Sequence, residues 1–116
     1  MALEICKLLE LFIDTLNKCG VYLLEMEDTC IGYNIFEEFD IGAISFLHDN
    51  TLKKLKGANL INDNIAKMSS ELRSNFLALQ DTDLWNVDSV KHATEWRNIL
   101  ELSDIIKLQL ELYNSK

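Results

Sequence analysis

Five side chains of the sort that hold transition metals are scattered along this chain: Cys6, Cys19, Cys30, His48 and His92. Structural zinc wants three or four such ligands, with at least two close together on one turn. None of these five is close to another. The cysteines therefore read as small apolar side chains and the histidines as surface groups, and neither metal nor any other cofactor is expected. An odd cysteine count without close pairs also fits a reducing compartment better than a disulfide framework. Asp81-Thr82-Asp83 opens like a calcium loop. Counting on from Asp81, Trp85 falls where an oxygen ligand belongs, Asn86 replaces the turn glycine, and His92 replaces the bidentate glutamate. Those acids fit better as caps ahead of a helix starting near residue 86.

Catalytic chemistry finds little support. A nucleophile needs Cys or Ser beside a positioned His, and no glycine-rich elbow accompanies either histidine. The four glycines are dispersed and there is no Walker-type lysine to cradle phosphate. Arg73 and Arg97 lack the downstream histidine that marks helical ribonucleases of the HEPN type. Glu37-Glu38 could do acid–base work, but exposed acid pairs on helices are commonly solvated. An enzyme is not expected. Lys53, Lys54 and Lys56 form the one cluster suited to phosphate. On a chain of net charge −8 they read as a solvated helix face near Asp49. That net charge also argues against a generic binder of nucleic acid or anionic membrane.

The acids are unevenly placed. Between Lys18 and Lys53 there is no lysine or arginine, while Glu25, Glu27, Asp28, Glu37, Glu38, Asp40 and Asp49 fall there; elsewhere 11 basic residues face 12 acidic ones. A solubility surface would account for acidity in general. Seven like charges without a local cation, interleaved with Tyr22, Tyr33, Phe36 and Phe39, point instead to a contact surface of rigid aromatic anchors and charge. Such a field speeds the capture of a basic protein. The partner-binding candidates are Tyr22, Glu25, Glu27, Asp28, Tyr33, Glu37, Glu38, Asp40 and Asp49.

The elements that must carry these residues are helical. Ile5, Leu8, Phe12, Leu16 and Cys19 recur at helical spacing over about 2–19, with Asp14 and Lys18 as an i,i+4 pair and Gly20 as the expected C-terminal cap. A short helix is expected over 50–56, stopping at Gly57. Ile61, Ile65, Met68, Leu72, Phe76 and Leu79 make one face of a helix over 61–79. Trp85 and Trp96 read as core anchors, Trp85 with the better chance of reaching an interface. The stretch 86–113 is helical, with Val90, Ala93, Trp96 and Leu100 on one face and Ser103-Asp104 as a candidate cap for a new helix. Beyond it Ile105, Ile106, Leu108, Leu110, Leu112 and Tyr113 appear on every side, which demands a central place in the core or a second chain. Residues 21–49 show no clean period; short helices joined at glycines are expected, with a small hairpin as the alternative. The expected fold class is all-α, a single domain over 1–116 built as a bundle of four or five helices with short loops. With no basic leader and no apolar membrane-length run, the expected location is cytoplasmic.

With Glu25-Met26-Glu27-Asp28 and Glu37-Glu38-Phe39-Asp40 beside tyrosines, and a second half running Ser70-Glu71-Leu72-Arg73 and Trp96-Arg97-Asn98-Ile99-Leu100, most of the chain resembles the small acidic cytoplasmic immunity proteins that bacteria make against nuclease toxins, including those of contact-dependent growth inhibition. The resemblance implies a stoichiometric inhibitor that binds a basic toxin domain, a nuclease, over its active site or substrate groove. The alternative reading is a helical adaptor that forms a homodimer through its apolar C-terminal segment.

Overall fold

The computed structural model describes residues 4–115, so residues 2–3 of the first expected helix lie outside the described part. Helix α1 (Ile5–Asn17) buries Leu8, Phe12, Thr15 and Leu16 on one face. Its end is not the glycine cap expected from sequence. Gly20 is extended at φ 171°, a conformation any residue adopts. What the glycine provides there is room: an added Cβ would lie 2.6 Å from Asp104 Oδ1 and 2.8 Å from Lys107 Nζ, and those side-chain ends would have to shift. The Asp14–Lys18 pair does not form at ion-pair distance either, whereas Lys7 and Glu10 approach to 3.6 Å.

Residues 21–49 are helical without being a series of glycine-jointed pieces. A 3₁₀ turn (Val21–Glu25) comes first, and the chain is extended at Met26 and Glu27. It then runs through α2 (Asp28–Gly32), a π-helical segment (Tyr33–Phe39) and α3 (Asp40–Phe46), all with right-handed helical backbone at the junctions. This is one rod. Gly32 and Gly42 lie inside it and break nothing. The reason is legible in the buried set: Ile31, Ile35, Phe39, Ala43 and Leu47 are all fully buried and recur at every fourth position. In an α-helix a four-residue step drifts about 40° off the face. A π turn, bonded i to i+5, is wider and drifts the opposite way. Mixing the two keeps a strict period of four aimed at the core. Gly42 has a separate task. A Cβ there would meet Thr15 Oγ1 at 2.3 Å, so its lack of a side chain lets α3 lie directly on α1.

Helix α4 (Asp49–Gly57) starts with His48 Nδ1 accepting from the Asn50 N–H at 3.1 Å. It ends at Gly57, as the sequence leads one to expect, but the left-handed closing residue is Asn59 and not the glycine. Asn59 takes the left-handed φ of 61°, Leu60 N–H reaches Leu55 O at 3.0 Å and Asn59 N–H reaches Lys56 O at 2.9 Å, the paired bonds of a Schellman end. Helix α5 (Asp63–Ala78) is capped by Asn62, whose side chain accepts from the Ile65 N–H at 2.8 Å. Helix α6 (Val87–His92) is capped likewise by Asn86, from Ser89 N–H at 2.8 Å; Asp81 and Asp83 sit in the preceding loop and cap nothing. The chain turns at Ala93 (ψ 137°) into α7 (Thr94–Asn114). Ser103 and Asp104 do not start a new helix. They lie mid-helix, and Ser103 faces inward to donate to Leu16 O and Cys19 O.

The described residues form an all-α bundle without strands, in which α7 packs on α5 and α1, and α1 packs on α3 and α4. Phe36, Phe76, Trp85 and Trp96 meet at centroid distances of 4.9 to 5.9 Å and join the rod to α5 and α7. Trp96 is fully buried and donates Nε1–H to Leu84 O at 2.6 Å. Trp85 packs in the same cluster as the sequence reading expects of a core anchor, and it is half-buried where Trp96 is fully buried. No described helix is long and apolar enough to cross a membrane.

Candidate functional site

The rod presents the acidic segment along its length. Tyr33, Glu37, Ile41 and Ile44 are exposed and follow one another at spacings of four, four and three, so they make one outward stripe. Glu25, Glu27 and Asp28 are exposed where the 3₁₀ turn meets the start of the rod. The π turn shapes the middle of this surface. Residues five apart point well away from each other on an α-helix, and the wider π turn narrows the angle between them. Tyr33 OH accordingly donates to Glu38 Oε1 at 3.2 Å. That bond, by favouring the neutral phenol beside a carboxylate, raises the Tyr33 pKa above its ordinary value of 10.0.

Not all nine candidates belong together. Asp28 is bonded by Lys91 Nζ of α6 at 3.0 Å. Asp40 is half-buried and accepts from Gln80 Nε2, in the turn after α5, at 3.1 Å. Asp49 lies at the start of α4, accepts from Ser70 Oγ at 3.3 Å, and lines a groove with Lys53, Lys56 and Lys67. Lys56 itself pairs with Asp63 at 3.0 Å. Among the described residues Glu25, Glu27 and Glu37 have no ion-pair partner, and Glu38 has only its tyrosine. The aromatic half of the pattern also divides. Phe36 and Phe39 turn inward to the aromatic core, which leaves Tyr22 and Tyr33 as the surface pair.

Tyr22 belongs to a different assembly, a polar clasp between α7 and the turn after α1. Asp104 Oδ2 accepts from the Val21 N–H at 3.0 Å, Lys107 Nζ donates to Cys19 O at 2.8 Å and pairs with Asp104 at 3.1 Å, and the same ammonium lies 5.5 Å from the centre of the Tyr22 ring. The phenol of Tyr22 donates to Asn17 O. Partial burial raises the Tyr22 pKa, and full burial pushes the Cys19 thiol up from 9.0 to about 12. That thiol stays neutral and unreactive at neutral pH.

No group of three or more potential metal ligands converges among the described residues. His48 serves as a helix cap, and His92 lies 3.1 Å from Asp88 O with the Asp88 carboxylate 3.4 Å away. What the sequence reading missed is aliphatic. Ile41 is 62% exposed and Ile44 49%, beside the unpaired acids. Their position relative to the buried period of four was the available signal. On α7, Ile105, Leu108 and Leu112 are exposed while Ile106 and Leu110 are buried, so the C-terminal segment has one core face and one open apolar face.

Comparison with protein families, characterised proteins and solved structures finds no significant match to this chain.

Proposed function

We propose that this chain is a non-catalytic binding protein of the immunity type, which neutralises a basic toxin domain, a nuclease, by offering it an acidic surface along the rod and the preceding turn. The observation that carries the reading is that Glu25, Glu27 and Glu37 are exposed and have no ion-pair partner among the described residues, in a segment without a single lysine or arginine. Neighbouring like charges raise the energy of the free molecule. A cationic partner removes that repulsion and is steered by it at low salt. Asp28, Asp40 and Asp49 are already bonded within the chain and contribute field more than contact.

The test is capture from cytoplasm at low and high salt with the parent chain and with Glu25→Lys, Glu27→Lys and Glu37→Lys combined. A basic protein that is retained only at low salt, lost on charge reversal, and made harmless to cells by co-expression of this chain is the expected result. Capture that ignores the reversal removes the reading. A second reading has its own support in Ile105, Leu108 and Leu112, exposed one above another on α7: a homodimer or adaptor joined through this face.

A further inference from the structure

The most exposed large apolar side chain among the described residues, Ile41, stands beside the unpaired acids. Together with Leu11 and Phe46 it lines a groove of about 410 Å³ between α1 and α3. Gly42 and Thr15 also line it, and the Gly42 backbone lies directly against the Thr15 side chain, so this trough is floored by that contact. Its remaining lining is charged: Asp14 from α1, Lys18 at its C-terminal end, and Glu38 from the rod. Glu37 follows on the exposed stripe one turn before Ile41. The trough is thus apolar in one part and acidic in another, with Lys18 the one cation among its lining residues.

Charge complementarity selects the occupant. A second copy placed here by two-fold symmetry would set two acidic rims face to face, each carrying Asp14, Glu37 and Glu38 against the single Lys18, a net repulsive contact. An acidic segment meets the same objection. We propose that the trough receives a helix of the basic partner, whose aliphatic side chain covers Leu11, Ile41 and Phe46 while lysines or arginines on the adjoining turns reach Asp14, Glu37 and Glu38. This rests on the acidic-surface reading and adds to it an anchor: apolar contact in the trough fixes where the partner lands, and the carboxylates govern how fast it arrives.

The experiment uses two synthetic peptides of identical leucine and arginine content, one with its leucines along a single helical face and one with them scattered, titrated into the isotope-labelled protein and followed by NMR. The amphipathic peptide is expected to shift the signals of Leu11, Ile41 and Phe46 and to bind about tenfold more tightly than its scattered counterpart. Ile41→Ser, at a largely exposed position outside the core, should remove that tenfold advantage while the melting temperature stays put. If the two peptides bind alike and move only Glu25, Glu27 and Glu37, the trough is refuted and the acidic surface survives. Equal binding of the amphipathic peptide to the parent and to Ile41→Ser refutes it as well. Should neither peptide bind at low salt, both the trough and the acidic surface fall.

Discussion

Asp104 and Lys107 on α7, and Glu25, Glu27 and Glu37 on the rod and its approach, are charged side chains at or near the surface, yet the fold treats them in opposite ways. Asp104 closes an otherwise open backbone N–H at Val21, and Lys107 satisfies the carbonyl of Cys19 while pairing with Asp104. Asp104 is thus bonded to a backbone N–H that would otherwise lack a partner, and Lys107 shares the Cys19 carbonyl with Ser103. The three glutamates bond to nothing of the kind. Charge in the clasp is architecture. Charge on the rod is surplus to folding, and surplus charge is what a binding surface keeps.

Breaking the clasp should therefore have the largest effect on stability. Asp104→Ala leaves the Val21 N–H and Lys107 without their carboxylate, and is expected to cost about 1–2 kcal/mol in denaturant unfolding. Affinity for a basic partner should stay as it was. A loss of affinity with stability intact would reverse the roles assigned to the two regions.

The clasp also lies against a titrating group. Cys19, fully buried at about 12, keeps its proton in the folded chain, whereas the unfolded thiol releases it near 9.0. The unfolded state then binds fewer protons, so this contribution to stability is whole below pH 9 and is lost as pH climbs from there towards 12. Urea midpoints measured across that range should fall with pH, and Cys19→Ala should flatten the slope. Tyr22 and Tyr33, whose pKa values are also raised, leave a residual slope of the same sign.

The helices whose apolar residues follow three-and-four spacing were legible from sequence: α1, α5 and the first part of α7 fall where Phe12, Leu72 and Trp96 put them. The rod was not, because Ile31, Ile35, Phe39, Ala43 and Leu47 keep a strict period of four that drifts on an ideal helix, and here a π segment at Tyr33–Phe39 accompanies it. Gly32 and Gly42 looked like breaks since a glycine's use for close approach depends on a distant residue, here Thr15 for Gly42. Ser103 and Asp104 looked like a cap for the same reason: their partners, Cys19 and Val21, lie more than 80 positions away. For the site, the charge map identified the exposed glutamates. It could not separate them from Asp28, Asp40 and Asp49, whose bonds to Lys91, Gln80 and Ser70 are all long-range.

The smallest expected change in stability is also the most informative. Glu25→Gln, Glu27→Gln and Glu37→Gln together, unfolded in denaturant at low and at high salt, should match the parent within about 0.5 kcal/mol. Any difference should be a gain at low salt that shrinks as salt screens the repulsion. A loss of more than about 1 kcal/mol, persisting at high salt, would mean that these carboxylates hold the fold together and are not free to meet a partner.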